Sequence, residues 1–340
     1  MWNYPRNKTS KLTASEIARH AQTFQSIFDL DGLSHFFELS RYSIDYLALN
    51  PQYSVFFVPK KSGTLRRIEN PSSRLKALQH RLNKWMQCLY YTHRSKAAYG
   101  FTINAKNDAK PRNIVTNARR HLGREWVLNI DLKDFFYYVH AARLRRLFEG
   151  AFFQFSPKLA DRLVLLTTYN GRLPMGSPSS PVLANFACLK LDACLLDFAA
   201  TQGWRYTRYA DDLTFSSNAL IEKTHIDTLE SLIAECGFEL NPDKVQLYHK
   251  CNPPLVTGLR LLPKGPDIQA WHEEDIRNSL QHIKVLLKRR AAISSHNPLY
   301  DTGFLLRSLQ GKISYMGFVR GSKCKRFRKY RKKYRELRAK

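Results

Sequence analysis

Two aspartates stand side by side in RYADDLTFSS, residues 208–217, and a third, Asp131, closes the apolar run WVLNID far upstream. A carboxylate at the end of a buried strand costs several kcal/mol of desolvation unless a cation lies near it. For Asp131 that cation could be an arginine or a metal. Adjacent strand residues point to opposite faces, so Asp211 and Asp212 share a site only at the tip of a turn. WRYTRYA and LTFSS read as two strands meeting at such a tip, although Asp-Asp is also an ordinary turn former. Carboxylates converging from Asp131 and Asp211 would build an oxygen-rich site for Mg²⁺, which takes carboxylate, water and phosphate. Paired metals of that kind activate a hydroxyl and stabilise a leaving pyrophosphate in an in-line displacement.

Two more stretches suit the same chemistry. LKDFF, following Asp131, places Phe136 where a strand turning into a helix brings its ring beside an incoming sugar. A bulky ring there would exclude a 2′-hydroxyl, although Phe is ordinarily a core residue. LPMGSPSSPVLANF, residues 173–186, is a Gly-rich turn feeding a helix. Gly176 would let the backbone approach a base or sugar closely, and Pro181 starts the helix.

The elements that must position these residues follow from pattern. Residues 12–50 read as short helices, and YSVFFVPKKSGTLRRIENP (53–71) as a β-hairpin with a cationic tip at Ser62-Gly63. After a Ser72/Ser73 cap, Leu75, Leu78, Leu82, Trp85, Met86 and Leu89 recur at helical spacing. EWVLNIDL (125–132) is a buried strand. Helices are expected over 157–170, between Ser156-Pro157 and Asn170-Gly171, from near Pro181 to about Ala200, and over 223–236, closing at Gly237. Short strands follow at 244–249 and 255–262. A helix over 272–290, acidic at its start and basic at its end, suits the macrodipole. Hairpins mixed with crossing helices make the expected fold class α+β.

Composition narrows the partner. The 340 residues, 44% hydrophobic and 12% aromatic, suffice for two or three lobes. With 55 Lys+Arg against 28 Asp+Glu, the net charge of +27 calls for a polyanion, and nucleic acid is the candidate. An anionic membrane is the rival, but no apolar run is long enough to span one, and MWNYPRNKTSKL has no signal-peptide core; a soluble, cytoplasmic protein is expected. Cys88, Cys188, Cys194, Cys236, Cys251 and Cys324 never fall in CxxC spacing, which suggests neither zinc nor a disulfide framework. From Arg320 onward, cations interleave with Phe327, Tyr330 and Tyr334, as in a solvated face or a nucleic-acid contact.

In their order, Asp131, Gly176 and Asp211-Asp212 resemble the reverse transcriptases. NIDLKDFF is similar to the first palm motif, LPMGSPSSP to the second, YADD to the third and GFELNPDKVQL to the lysine-bearing fourth, over about residues 53–262 and weakly beyond. The resemblance implies a right-hand polymerase fold. An N-terminal helical segment (1–52) would precede fingers (53–124), a palm of antiparallel sheet with packed helices (125–262, with fingers-side helices inserted at about 141–172), and a helical thumb with a basic tail (263–340). It implies that Asp131 and Asp211 bind two Mg²⁺ ions, supported by Asp212 and the Leu132 carbonyl, and that Lys244 protonates or neutralises the departing pyrophosphate. Lys61 and Arg66 would grip the triphosphate, with Arg67 taking that role in a register one residue off. Asp134, Phe135, Phe136 and Gly176 would adjoin the nucleotide, while Met175 stands where the family usually has Gln. Arg208 reads as a surface arginine or a contact near the primer end.

NARRH (117–121) and VTG (256–258) resemble two markers of the retron reverse transcriptases. That resemblance implies RNA binding by Asn117, Ala118, His121, Val256, Thr257 and Gly258, joined by Arg326, Arg328 and Lys329 of the tail. It also implies a cognate structured non-coding RNA, primed from a guanosine 2′-OH and copied into multicopy single-stranded DNA. A separately encoded effector, an anti-phage role and a host RNase H come with it. From the residues alone, His121 could equally satisfy a local hydrogen bond and Thr257-Gly258 could be a strand-end turn. The rivals are a group II intron-like or diversity-generating reverse transcriptase and an RNA-binding scaffold, though a scaffold has no need of three such carboxylates.

Overall fold

The computed structural model describes residues 12–59, 63–288 and 302–339, and its chain divides after Lys250 into two compact units. The first opens with three short helices, α1 (Ala14–Gln25), α2 (Leu30–Phe37) and α3 (Arg41–Leu49). Thr13 and Glu16 form a capping box that starts α1, whose Ile17, Ala21 and Phe24 recur at helical spacing and are buried. The hairpin of β1 (Tyr53–Pro59) and β2 (Leu65–Pro71) follows, its tip at 60–62 lying outside the described residues. Helix α4 (Ser73–His93) packs on α1 through the expected apolar stripe; Ser72 sits at its N-cap but makes no side-chain capping bond.

Beyond α5 (Ile114–Arg119) come β3 (Trp126–Asp131), α6 (Ala141–Glu149) and α7 (Pro157–Thr167). The last ends short of the expected residue 170. Thr167 and Thr168 turn their hydroxyls back onto the Leu163 and Val164 carbonyls, and Asn170 and Gly171, both at positive φ, form a tight turn that pairs Tyr169 with Arg172. The helix expected to run to about Ala200 is two helices, α8 (Ser180–Ala187) and α9 (Leu189–Thr201). At the break, the Arg143 guanidinium takes up the Ala187 carbonyl at 2.7 Å. Strands β4 (Arg205–Tyr209) and β5 (Asp212–Ser217), helix α10 (Lys223–Glu235) and strand β6 (Gln246–His249) complete the unit. Its antiparallel sheet has the order β4-β5-β3-β6, and Val127, Leu128 and Ile130 of β3 lie inside.

The second unit begins earlier than the expected thumb boundary at 263. Residues 251–262 contribute β7 (Leu255–Val256) and β8 (Leu259–Leu262), which join β9 (Gly265–Asp267) in a three-stranded sheet of this unit. Three helices follow, α11 (Ala270–Lys288), α12 (Thr302–Arg320) and α13 (Lys325–Arg338). Their core is Ile276, Ile283, Leu309, Ile313, Met316, Tyr330, Tyr334 and Leu337. Arg320 ties this unit's sheet to α11 by bonding Asp267 at 2.6 and 3.0 Å and Glu273 at 2.8 Å.

Candidate active site

The three acidic residues meet where the sheet ends. Asp131 is the last residue of β3 and lies directly opposite Asp212, the first of β5. Ala210, at φ +60°, turns the chain between β4 and β5 so that Asp211 and Asp212 share the tip. Three backbone bonds fix the corner: Leu132 N–H to the Asp211 carbonyl (3.0 Å), Asn241 N–H to the Asp131 carbonyl (2.9 Å) and Lys133 N–H to the Glu239 carbonyl (2.8 Å). Lys244, just before β6, donates to Asp131 Oδ1 at 2.7 Å.

Crowding by protein atoms, and then the charge of Asp131, push the Asp211 carboxyl up to about 6, against the pull of Lys244 and Arg66. Burial, followed by the charges of Asp211 and Asp131, raises Asp212 to about 8. Asp212 nevertheless keeps accessible surface. Repulsion among the carboxylates needs no burial, so it is the firmer cause there. A cluster that resists carrying its full negative charge is one that a divalent cation would relieve. Among the described residues, no three Asp, Glu, His or Cys side chains form a ready-made metal cage. Magnesium does not require one, since it is typically held by one or two carboxylates with water and substrate phosphate. The donor set at Asp131 and Asp211 fits that habit.

The other expected nucleotide contacts divide. Arg66 lies on β2, and its charge acts on Asp211, whereas Arg67 is spent on Glu69 at 3.2 Å; Lys61 lies outside the described residues. Phe136 is half-buried in the turn after β3, with its ring centroid 6.0 Å from that of Phe101. Phe135 needs correction as a side-chain contact, since it is buried and stacks on Phe238 at 6.0 Å. Asp134 is exposed at φ +42°. Gly176, at φ +145°, has a reason of its own: a Cβ there would stand 2.6 Å from the Glu69 carbonyl of β2. Its freedom serves the docking of the hairpin, sealed by Glu69 N–H to the Met175 carbonyl at 2.8 Å.

Within NARRH, Arg119 and Arg120 are exposed, but the three residues expected to touch RNA are interior, which corrects the expectation of their direct contact. Asn117, Ala118 and His121 are at most 1% exposed. His121 bridges the two strands β4 and β5, Nε2 to Thr207 Oγ1 at 2.7 Å and Nδ1 to Ser216 Oγ at 2.8 Å. Val256 is buried too, while Thr257 (φ +49°) and Gly258 (φ +78°) form the two-residue turn between β7 and β8. In α13, Tyr330 and Tyr334 face the core and the Phe327 ring packs on Gly317, so these rings are not a stacking platform. Arg328 and Lys329 are exposed, and Arg326 pairs with Glu273 at 3.0 Å.

Arg208 is neither at the surface nor beside a primer. It is fully buried, gripping both oxygens of Asp192 at 2.7 Å, Asn185 Oδ1 at 2.9 Å and the Ala210 carbonyl at 3.2 Å. Asn185 in turn donates to the Gly100 carbonyl at 3.0 Å, and a Cβ on Gly100 would stand 2.6 Å from Ala210 N. This network behind the turn, and the buried Glu69 held by Arg172 through two 3.0 Å bonds, are functional supports that sequence reading missed.

The family pattern described as "Reverse transcriptase (RNA-dependent DNA polymerase)" matches residues 58–318. The Retron Ec86 reverse transcriptase of Escherichia coli is 32% identical over 235 residues, covering 68% of this chain and 70% of that protein. The Retron Mx65 enzyme of Myxococcus xanthus is 35% identical over 226 residues (61% of this chain, 50% of the relative), and Retron Mx162 of the same organism 33% over 248 residues (64% and 49%). The chain thus spans about half the length of the two Myxococcus relatives. The chain therefore belongs to the reverse transcriptase family and, within it, to the retron reverse transcriptases.

Proposed function

We propose that this chain is an RNA-directed DNA polymerase whose reaction is carried by Asp131, Asp211 and Asp212. The observation that supports it is the placement of Asp131 opposite Asp212, with Asp211 in the adjoining turn. Two Mg²⁺ ions held by Asp131, Asp211 and the Leu132 carbonyl would supply activation of a 3′-hydroxyl and neutralisation of pyrophosphate. The chain's own residues do the rest. Lys244 offsets Asp131 in the resting state and lies where its ammonium can turn to the departing pyrophosphate. Arg66 adds positive charge at Asp211 for the triphosphate. The half-buried Phe136 ring bounds the sugar.

Within the retron reading, residues 53–124 serve as fingers, 125–250 as palm and 251–340 as thumb. The cytoplasmic enzyme binds its cognate non-coding RNA, primes from an RNA 2′-OH and makes multicopy single-stranded DNA. Host RNase H trims the template, and a separately encoded effector completes an anti-phage system. The names of the relatives and the VTG turn support this reading. Of the expected RNA contacts, Thr257, Gly258, Arg326, Arg328 and Lys329 remain on accessible surface, Arg326 while paired with Glu273.

Co-expression with a neighbouring structured RNA gene, followed by isolation of RNA-linked DNA, tests the proposal. Asp211→Asn is expected to lower primer extension roughly a thousandfold while the protein still folds. Full product from that variant would refute the assignment.

A further inference from the structure

We propose that the outer face formed by α3 and α4 is a second binding surface, specific for single-stranded RNA and apart from the carboxylate site. A groove of about 520 Å³ opens there, lined by Leu39, Tyr42, Tyr46, Leu78, Arg74 and Arg81 among others. Tyr42 is 78% and Tyr46 46% exposed. Their ring centroids lie 6.3 Å apart with planes 27° from parallel. Tyrosine usually buries its apolar ring, so two of them held in water one helical turn apart are a platform in search of flat partners. Bases stack on such rings whatever their sequence.

The cations fix what else the occupant carries. Arg74 and Arg81 are both exposed on α4. Arg81 is held in place, donating to the Phe37 carbonyl with its guanidinium 4.7 Å over the Phe37 ring. A cation already ordered loses little freedom on binding. Among the described residues, no carboxylate lines the groove. Of the acids nearby in sequence, Asp45 is engaged by Arg162 at 2.6 Å and Asp31 by Arg41, while Glu38 is exposed beside Leu39.

Flat rings beside two guanidiniums, with no lining anion, suit a chain of alternating bases and phosphates. An apolar partner helix laid here would desolvate both arginines without pairing them. The phenolic hydroxyls of Tyr42 and Tyr46 favour RNA over DNA, because a 2′-OH both donates to and accepts from them.

The test uses the full-length protein and a short single-stranded oligoribonucleotide carrying 4-thiouridine, crosslinked by light and mapped by mass spectrometry. Adducts are expected on the peptide bearing Tyr42 and Tyr46. The Tyr42→Ala/Tyr46→Ala double variant should bind that oligonucleotide roughly tenfold more weakly by fluorescence anisotropy at fixed salt. It should extend a recessed primer on a hairpin template with a minimal overhang at the wild-type rate. That second readout separates failure here from failure of the polymerase reading, which Asp211→Asn addresses. Crosslinks confined to other segments with unchanged affinity would overturn the proposal. So would equal or tighter binding, through the same tyrosines, of the matching DNA strand, or protection of the groove by protein alone.

Discussion

The buried guanidinium of Arg208 does for the turn between β4 and β5 what the turn cannot do for itself. It spans Asp192 on α9 and the carbonyl of Ala210, the residue preceding Asp211, and so ties the proposed metal-binding carboxylate to the helix behind it. Arg208→Met should destabilise the fold by about 3–5 kcal/mol, because Asp192 is left as an unpaired buried charge. Pairing it with Asp192→Leu should restore most of the melting temperature yet lower kcat at least tenfold, with the dNTP KM little changed, since the bonds to Asn185 and to the Ala210 carbonyl stay lost. A double variant with wild-type kcat would deny Arg208 any part in placing Asp211. This network was legible only in part: Asp192 in LKLDACLL and Arg208 in RYTRYA are charges set among apolar residues, as Asp131 is, but each has a second charge close by, Lys190 and Arg205. What the sequence hides is that the two are each other's partner, because helix and strand meet only in the fold.

His121 is the converse case, a buried group kept neutral where Arg208 is kept charged by Asp192. Burial, and then the charges of Arg120, Arg205 and Arg124, hold its imidazole down at about 3. Unfolding releases it to an ordinary value near 6.5, so between those limits the unfolded chain binds the extra proton. Stability is therefore unaffected by this group above pH 6.5 and falls as the pH drops below it, by roughly 1–2 kcal/mol at pH 5. Thermal melts at pH 7.5 and pH 5 should show a smaller acid loss for His121→Gln than for the parent. Equal losses would mean that His121 is not the buried neutral bridge seen between Thr207 and Ser216.

Among elements, the hairpin β1–β2 was readable from its apolar runs and Gly63, but not its docking. That depends on Glu69, which is fully buried on β2, clamped by Arg172, and presses its carbonyl on Gly176. Gly176→Ala should displace β2 and with it Arg66, raising the dNTP KM several-fold and lowering the melting temperature; an unchanged KM would separate the hairpin from the nucleotide. Element ends were less legible than element types. Asn170-Gly171 carries the residues of a helix stop but makes a hairpin turn, because Thr167 and Thr168 have already capped α7 with their own hydroxyls. The split at Cys188 leaves no mark in the apolar pattern, since the group that takes up the freed carbonyl, Arg143, comes from a distant helix.

At the scale of the molecule, the net charge of +27 becomes specific on α13. Phe327, Tyr330, Tyr334 and Leu337 recur at helical spacing toward the core, which leaves Lys325, Arg328, Lys329, Arg331, Lys332, Lys333 and Arg335 exposed on the outer side. In the sequence the interleaved cations and aromatics read as a solvated face or a nucleic-acid contact; helical periodicity separates them, so the proposed RNA contact here would be electrostatic and not stacked. An electrostatic contact releases counterions, and the slope of log affinity against log salt counts the phosphates neutralised, about 0.7–0.9 for each. Replacing Arg326, Arg328 and Lys329 together with Gln should reduce that slope by roughly two contacts' worth rather than three, because Arg326 is already engaged by Glu273. Titrations of a structured RNA across a salt series would measure it. A slope identical to the parent's would place the RNA on another face, whereas loss of affinity with no change in slope would mean that the substitutions had disturbed the fold of α13 instead of removing phosphate contacts.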